Sequence, residues 1–492
     1  MQGNEIKSVA IVGAGAAGAV TAAALKAEDY FDRIRVFERR ETPGGTWIYD
    51  ADPKAAPIYP GSLPTDIDKP PNIPERLPTT TPPNQQERYT HTPIYQNLTT
   101  NVLDIAMSFS DSPFSYGPFV PHYVPRQYIE NYFSIHKTDK YLSLNTTVED
   151  ISQLSAASKG GLKPWRLTLR KYEPLRHVDA WWQEDFDAVV LANGHYAVPW
   201  VPRVQGLEEY MEKFPGRVMH SKFYRSPWLY ANKKVLVIGN SASGHDISVD
   251  LIQAVHLPLY QSRRSPSRVD GDEPLLGMEW KSIISQYKLD GTIIFEDGSE
   301  LKDVDLILYC TGYLPSYPFW NSNANGRPLF DYEKNKLINN YWHTFFQDIP
   351  NLAMVGMPRV LTFRSFEYQA IALARLFSGR NAVPLPPLEE QRKWEVSRER
   401  ICRQERRKFH EIEWESGETF QWLDGLFQIA GLGTLSGEGR IPPVLSKELV
   451  WAIDHIRKYP RPGHSKNARR DNVEQDDWVL VERGTKDFLA FI

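Results

Sequence analysis

The stretch SVAIVGAGAAG at residues 8–18 joins a short apolar run to a glycine-rich turn. The apolar run is typical of a buried parallel strand, and a helix-forming stretch at residues 19–26 follows the turn directly. A second apolar run at residues 34–37 ends at Glu38. The order strand, helix, strand predicts a βαβ unit whose helix begins at the glycine-rich turn.

The spacing of the glycines predicts that this turn holds a pyrophosphate. The pattern GAGAAG allows a tight turn, close approach of a ligand and close packing of the helix on the strand. The N-terminus of the helix adds free backbone amides and the positive end of its dipole. We therefore expect this first cradle to bind a cofactor through Gly13, Gly15, Ala16, Ala17 and Gly18.

The acid at the end of the second strand narrows the choice of ligand. Glu38 follows Gly18 by 20 residues, the position from which a carboxylate accepts the hydroxyls of a ribose. A carboxylate there also repels a 2′-phosphate, because both groups are negatively charged. The first cradle is therefore predicted to hold FAD or NAD rather than NADP.

A second cradle repeats the pattern about 220 residues later. The apolar run at residues 234–238 leads into Gly239-Asn-Ser241-Ala-Ser243-Gly244, in which serine replaces the middle glycine. Its second strand, near residues 257–260, is followed by Arg263 and Arg264 instead of an acid. A guanidinium pair suits a 2′-phosphate, although a solvated basic turn is the alternative. Acid at one site and arginines at the other predict FAD in the first cradle and NADPH in the second.

These motifs suggest the domain organisation of the 492-residue chain, whose length alone predicts about three domains. We predict an α/β fold with two Rossmann-like dinucleotide-binding domains, the smaller inserted into the larger. The FAD-binding domain would span residues 1–205 and 315–385, and the NADP-binding domain residues 206–314. A helical C-terminal extension, residues 386–492, would pack on the FAD domain. The proline-rich residues 52–93 are predicted to form a long loop, and the charged run at residues 398–407 the solvated face of a helix.

Composition excludes several classes of function. With 57 basic and 61 acidic residues the net charge is −4, so nucleic acid is not an expected partner. Two cysteines cannot build a disulfide framework or a redox CxxC motif. No metal-binding HExxH or nucleophile-elbow GxSxG spacing occurs, and no apolar stretch approaches the ~20 residues of a transmembrane helix. We expect a soluble cytoplasmic protein with no metal site.

Further motifs resemble those of the flavin-containing monooxygenases, the class B flavoprotein monooxygenases. Phe214 to Tyr224 matches the family signature FxGxxxHxxx(Y/F), and residues 44–47 match the GGxW element. The pairs Thr100-Asn101 and Gly312-Tyr313, and the segment 367–369, match as well. The resemblance covers roughly residues 5–380, and the remaining tail is most similar to fungal members.

The resemblance implies a role for each matching residue. It places Glu38 on the FAD ribose and Asn101 as the catalytic amide facing the flavin and oxygen. His220 and Tyr224 would couple the two domains without transferring protons. The other implied cofactor contacts are Gly45, Thr46 and Trp47 along the flavin, Thr100 near the nicotinamide, Gln369 on return to the flavin, and Ser241, Ser243 and Gly244 on the NADP pyrophosphate.

The resemblance also implies an activity like that of N,N-dimethylaniline monooxygenase. NADPH would reduce FAD, dioxygen would give a flavin hydroperoxide, and an amine nitrogen or a thioether or thiol sulfur of a small molecule would take one oxygen atom. Alternatives are a Baeyer–Villiger oxygenase, whose signature usually ends in tryptophan where this chain has Tyr224, an NADPH oxidase that releases peroxide, and an N-hydroxylase of lysine or ornithine. The oligomeric state is left open, with a homodimer compatible.

Overall fold

The computed structural model describes residues 6–53, 56–84, 88–114, 116–155, 161–267, 269–431, 438–459 and 479–480. Within these ranges the α-helices are α1 (Ala16–Ala27), α2 (Pro64–Ile67), α3 (Asp104–Met107), α4 (Tyr123–Ile135), α5 (Leu207–Lys213), α6 (Ala242–Leu251), α7 (Phe363–Ser378), α8 (Leu388–Glu405), α9 (Glu418–Ala430) and α10 (Lys447–His455). The strands are β1 (Ser8–Val12), β2 (Arg33–Phe37), β3 (Thr79–Thr81), β4 (Leu142–Ser143), β5 (Thr146–Gln153), β6 (Trp165–Glu173), β7 (Val178–Phe186), β8 (Ala188–Leu191), β9 (Val198–Pro199), β10 (Val218–His220), β11 (Lys234–Ile238), β12 (His256–Ser262), β13 (Met278–Lys281), β14 (Ile284–Tyr287), β15 (Ile293–Phe295), β16 (Glu300–Leu301), β17 (Leu306–Tyr309), β18 (Tyr313–Leu314), β19 (Phe330–Asp331), β20 (Lys336–Leu337), β21 (Asn340–Tyr341), β22 (Phe345–Phe346), β23 (Leu352–Met354), β24 (Ile456–Arg457) and β25 (Val479–Leu480).

The largest sheet has seven strands in the order β21-β22-β23-β8-β1-β2-β4. The strands from β23 to β4 are parallel, and β21 and β22 form an antiparallel edge. β1 lies in the middle and is buried along almost its whole length, as its uninterrupted apolar run predicts. Helices α1, α4 and α7 cover one face, and an antiparallel sheet in the order β3-β7-β6-β5 packs its apolar side chains on the other.

A second, five-stranded parallel sheet has the order β10-β17-β11-β12-β13. All of its strands lie between residues 218 and 309, within the segment predicted as the NADP-binding domain. The chain enters this segment after β9 and leaves it at β18, and these two short strands pair antiparallel. The predicted α/β fold with two Rossmann-like units is confirmed, and we propose the predicted boundaries at residues 206 and 314 as those of the inserted domain.

The proline-rich segment 52–93 is not entirely irregular. It contains the single helical turn α2 and the strand β3, which pairs with β7. Three consecutive threonines form β3, and the indole of Trp181 donates a hydrogen bond to the Thr81 hydroxyl at 2.9 Å. The prediction of a long loop was therefore wrong at these residues, because β-branched side chains can add an edge strand between prolines.

The C-terminal region is helical, as predicted, and α9 packs on α7 through the main apolar core. The prediction for the charged run was wrong at two arginines. Arg398 is buried and donates to the carbonyl oxygens of Phe409 and Glu411 at 2.7 and 2.8 Å, and both Arg398 and Arg407 pair with Glu418. These contacts fix the turn that follows α8, so the two guanidinium groups bind backbone carbonyls and Glu418 instead of facing water. Among the described residues, no helix is both long and apolar enough to span a membrane.

A buried ion cluster joins α1 to α7. Glu28, at the end of α1, lies 3.3 Å from the guanidinium of Arg375, and both side chains are almost completely buried. Arg380 and the Ser378 hydroxyl also donate to the same carboxylate at 3.0 Å. Burial lowers the pKa of Arg375, and the Glu28 carboxylate opposes this effect. Glu28 therefore pairs with two cations at the junction of the two helices.

We predict that Glu28→Gln destabilises the protein by about 3–5 kcal/mol, because it leaves the buried Arg375 without a counter-charge. Urea unfolding followed by tryptophan fluorescence measures the change. Glu389→Gln, which breaks the exposed pair with Lys393, is the matched control and should shift stability by less than about 0.5 kcal/mol. Equal effects of the two substitutions would contradict the assignment.

Candidate cofactor and active site

The first cradle depends on two glycines, because a side chain at either position would clash with neighbouring backbone atoms. A Cβ on Gly13 would lie 2.6 Å from the carbonyl oxygen of Ala192, and a Cβ on Gly18 would lie 2.0 Å from that of Gly13. Gly13 also has a φ of 107°, which disfavours other residues. These glycines let β1, β8 and the start of α1 approach closely. Gly18 serves this packing and does not line the cavity described next.

A cavity of about 240 Å³ opens at the carboxyl ends of β1, β2 and β8. In a parallel sheet this edge is where ligands bind. The predicted residues that line it are Gly13, Gly15, Ala16, Ala17, Glu38, Gly45, Thr46 and Trp47. The structure thus brings the first cradle, its acid and the GGxW element together around one space.

Glu38 is held firmly at the rim of this cavity. Its carboxylate accepts hydrogen bonds from the backbone amides of Ala14 at 2.8 Å and Arg40 at 3.0 Å. A carboxylate has about four acceptor positions, so further positions remain for ribose hydroxyls. The side chain is buried but lines the cavity, so its location fits the predicted role.

The GGxW element is anchored to the first cradle. The Gly44 amide donates to the Ala14 carbonyl at 3.0 Å, and residues Gly45–Trp47 form a 3₁₀ helix. Gly45 has a φ of 56°, and a Cβ there would lie 2.8 Å from the Cα of Gly15. Two glycines therefore face each other with no side chain between them. This geometry leaves room for an extended phosphate-containing group along both loops and fits FAD.

Besides Gly18, three other residues predicted near the flavin do not line the cavity, namely Thr100, Asn101 and Gln369. The Thr100 hydroxyl is buried and accepts from the Val120 amide at 3.0 Å, while Asn101 next to it is exposed. Gln369 is completely buried, and its amide group accepts from the Gly356 amide at 3.1 Å. Gly356 itself lines the cavity, so Gln369 supports the wall from behind. The catalytic role of Asn101 and the direct cofactor contacts of Thr100 and Gln369 stay predictions.

The second cradle reproduces the packing of the first. A Cβ on Gly239 would lie 2.6 Å from the Cys310 carbonyl oxygen, and one on Gly244 would lie 2.1 Å from the Gly239 oxygen. Helix α6 begins immediately after Ser241, and both Ser241 and Ser243 are exposed. Serine replaces the middle glycine in this cradle, at a position that faces outward, and the packing glycines are retained.

Arg263 and Arg264 follow β12 at the edge of the second cradle. The guanidinium of Arg263 lies 3.2 Å from the ring centroid of Trp280 and 3.5 Å from the carboxylate of Asp270. Asp270 also accepts from the Asn240 side chain at 2.6 Å, while Arg264 is exposed. Trp280 and Asp270 orient Arg263 at this cradle. Sequence reasoning missed both, because each lies in a loop or strand with no motif of its own.

The two residues of the family signature, His220 and Tyr224, are buried and make hydrogen bonds within the inserted unit. His220 accepts from the Lys222 amide through Nδ1, and its Nε2 lies 3.0 Å from the Gly312 carbonyl oxygen, so a neutral ring with its proton on Nε2 satisfies both contacts. Burial lowers the pKa of His220 to about 3, and the ring therefore stays neutral. The Tyr224 hydroxyl donates to Asp250 of α6 at 2.7 Å. All of these partners lie within residues 206–314, so the coupling of the two domains by His220 and Tyr224 stays a prediction.

Helix α6 presents two carboxylates to the rest of the chain, and sequence reasoning missed them. Asp250 accepts from the Asn97 side chain at 2.8 Å, in addition to Tyr224. Asp246 accepts from the Tyr95 hydroxyl at 3.3 Å and pairs with Lys458 at 2.8 Å. The segment before Thr100 and Lys458 of the C-terminal extension thus converge on the helix of the second cradle.

Lys222 is an additional buried cation beside the cavity. Its ammonium donates to the carbonyl oxygens of Tyr89, at 3.2 Å, and Ala197, both of which line the cavity. Burial, together with the nearby Arg39 guanidinium, lowers the pKa of Lys222 to about 7. The ammonium therefore tethers the loop around Tyr89 to the strand that leads into the inserted unit.

The fold and these sites define a class of protein. One chain carries two βαβ cradles, with an acid after the second strand of one and arginines after that of the other. An oxidoreductase that holds FAD and a nicotinamide dinucleotide has this arrangement.

Comparison with known proteins places the chain within that class. It matches the flavin-binding monooxygenase-like family over residues 84–269 and 275–431, and an NAD(P)-binding Rossmann-like domain over residues 11–71. The protein belongs to the flavin-binding monooxygenase-like family, and its cofactors are FAD and NADPH.

Individual relatives cover most of the chain. Flavin-containing monooxygenase FMO GS-OX5 of Arabidopsis thaliana is 31% identical over 390 residues, which are 77% of this chain and 75% of that protein. Flavin-containing monooxygenase ustF2 of Aspergillus flavus is 30% identical and covers 78% and 84% of the two chains. The structure of S-allyl-L-cysteine S-oxygenase from Allium sativum has a TM-score of 0.67 at 27% identity, over 86% and 88%. Cyclohexanone monooxygenase, in its open crystal structure, shares the fold at a TM-score of 0.52 and 14% identity, over 81% and 93%.

We predict that Gly15→Val yields protein without bound flavin, because the new methyl groups fill the gap between Gly15 and Gly45. A Cβ at position 15 already meets the Gly45 Cα at 3.4 Å. The absorbance spectrum of the purified protein measures flavin content, and circular dichroism checks the fold. Gly271→Val is the control, since a Cβ there would meet nothing closer than 3.9 Å. A yellow Gly15→Val protein would refute the placement.

We predict that the Arg263→Ala, Arg264→Ala double variant lowers kcat/KM for NADPH by about 10–100-fold, the worth of one charge-assisted hydrogen bond of about 1.5–3 kcal/mol. The value for NADH should change little, so the preference for NADPH falls. Lys302→Ala, which removes an exposed cation of the same unit, is the control. Full retention of the NADPH preference in the double variant would contradict the role of the arginines.

Proposed function

We propose that this protein is an NADPH- and dioxygen-dependent monooxygenase that oxygenates a soft nucleophile, an amine nitrogen or a thioether or thiol sulfur, of a small molecule. One observation carries the proposal. The two cradles have the same glycine packing, but the residue after the second strand of each unit has the opposite charge, Glu38 in the first and Arg263 in the second. The chain therefore has separate places for a flavin and for its hydride donor.

The proposed binding roles follow the geometry of the two cradles. The first cradle, Glu38 and the GGxW element would hold FAD, and the second cradle with Arg263 and Arg264 would hold NADPH. Bound FAD supplies the chemistry that passes the electrons of NADPH to dioxygen. The overall reaction is balanced as NADPH, a proton, dioxygen and substrate giving NADP⁺, water and the oxygenated substrate.

The residues around the sites fit an enzyme whose own side chains form no covalent bond to the substrate during the reaction. Burial raises the pKa of the Cys310 thiol to about 12, so it is not available as a thiolate nucleophile. His220 is neutral and satisfied by backbone contacts. The remaining tasks of the chain are to position both cofactors and to keep water away from the reacting atoms.

Sulfur oxygenation has support from a relative. The S-allyl-L-cysteine S-oxygenase is 27% identical, and its name states oxygenation of a sulfur. Baeyer–Villiger oxygenation of a ketone is the alternative, since cyclohexanone monooxygenase shares the fold. In this chain Tyr224 stands where that signature usually carries tryptophan, and its hydroxyl donates to Asp250. The tyrosine at this position favours oxygenation of a soft nucleophile over the Baeyer–Villiger alternative.

The experiment is to purify the protein, record its flavin spectrum and follow NADPH oxidation, oxygen uptake and product with thioethers, amines and ketones. The proposal expects one oxygenated sulfur or nitrogen product per NADPH and per dioxygen consumed. Peroxide released in equal amount to NADPH, with no product, would identify an oxidase instead. An ester or lactone formed from a ketone, without sulfoxide or N-oxide, would favour the Baeyer–Villiger alternative.

A further inference from the structure

A second, small cavity adjoins the cofactor cavity at His195. Its volume is about 30 Å³, and its lining includes Tyr313, Met357, Arg359, Lys408 and Glu411. His195 is the residue that lines both cavities. A space of this size holds about two water-sized groups, so it can take the end of a ligand but not a whole substrate.

His195 presents unused polar atoms to this space. It follows β8 on the turn through Gly194 and is only 9% exposed. Within the described ranges neither ring nitrogen makes a hydrogen bond of good geometry, although the ring interacts with the Gly356 backbone. Burial and the nearby guanidinium of Arg359 lower the pKa of His195 to about 3, opposed by the Gly356 backbone. The neutral imidazole can therefore donate one hydrogen bond and accept another.

Two exposed cations, Arg359 and Lys408, line the mouth of the cavity. In the described part of the chain, neither of them takes part in a salt bridge. Partial desolvation and the positive charge of Arg359 lower the pKa of Lys408, and Glu411 opposes this effect. Two positive groups and one negative group thus face the cavity, and its lining has a net positive charge.

The turn that carries Lys408 is built rigidly into the fold. Arg398 and Arg407 both donate to the carbonyl oxygen of Glu411, at 2.8 and 3.0 Å, and the Glu411 amide donates to the Lys408 carbonyl at 3.0 Å. The buried Arg398 also pairs with Glu418. The C-terminal extension therefore fixes the backbone that carries Lys408 beside the cavity, whose other lining includes residues that follow β8, β17 and β23.

We propose that this small cavity is a subsite for a carboxylate at one end of the substrate, bound by Arg359 and Lys408 with His195 as a hydrogen-bonding partner. This inference rests on the proposed monooxygenase function and specifies its substrate class as a nucleophile that carries an anionic end group. A carboxylate suits the site because it is small enough for the cavity and can accept from a guanidinium, an ammonium and an imidazole N–H together.

A matched pair of probes tests the proposal, namely 3-(methylthio)propionate and its neutral amide, 3-(methylthio)propanamide. The wild-type holoenzyme should have a lower KM for the carboxylate than for the amide. Arg359→Gln and Lys408→Gln should each raise the KM for the carboxylate about 10–100-fold, the worth of a charge-assisted hydrogen bond, with a much smaller change in kcat. The ratio of the two KM values should fall accordingly.

Two further variants separate a local charge effect from a general one. Arg403→Gln removes an exposed cation from α8, and both KM values should stay unchanged. Glu411→Gln removes the one acid that lines the cavity among the described residues, so the KM for the carboxylate should fall while that for the amide does not. A rise in the carboxylate KM with Glu411→Gln would overturn the electrostatic assignment.

Equilibrium binding distinguishes failure of the subsite from failure of the proposed function. Calorimetry measures binding of both probes to the FAD-loaded protein without turnover. Preferential carboxylate binding that Arg359→Gln abolishes, without any sulfoxide formed, would retain the subsite and reject oxygenation of thioethers. Equal binding of the two probes to the wild type, or equal loss of both in Arg359→Gln, would overturn the subsite.

Discussion

Close approach of a strand, a turn and a helix, possible only where no Cβ intervenes, governs both halves of this molecule. At Gly18 and at Gly244 a Cβ would lie about 2 Å from a carbonyl oxygen of the preceding turn. Atoms cannot be packed this closely, so a side chain at either position would force the backbone to move. This packing places the N-termini of α1 and α6 directly after β1 and β11. The free amides of each helix therefore face the edge of a sheet where a phosphate can reach them.

The two cradles are useful together only if their relative position is fixed. Helix α6 provides part of that connection, since Asp246 and Asp250 take hydrogen bonds from the segment before Thr100 and from Lys458. A buried carboxylate with several donors is stabilising only when all of its partners are present. The inserted unit is thus held through polar contacts made by distant parts of the chain.

The C-terminal extension also holds parts of the fold together through polar contacts. Arg398 and Arg407 organise the turn after α8, and Lys458, which follows α10 and β24, pairs with Asp246 of α6. One stretch of chain therefore shapes the small cavity beside His195 and also contacts the second cradle. Charged residues do this work because a guanidinium can satisfy several backbone carbonyls at once, which an apolar side chain cannot.

Local sequence predicted the strands, the cradles, the acid after β2 and the arginines after β12, because each depends on neighbours within a single βαβ unit. The GGxW element and the signature from Phe214 to Tyr224 were equally readable as short motifs. The partners of Arg263, the supporting position of Gln369 and the charges around His195 were not, since each depends on how separate elements pack. Lys408, for example, lies 213 positions after His195 in the sequence. The prediction from the charge pattern that Arg398 faces solvent was also wrong. Sequence periodicity indicates which face of a helix a residue occupies, but not which backbone carbonyls pack against that face in the folded chain.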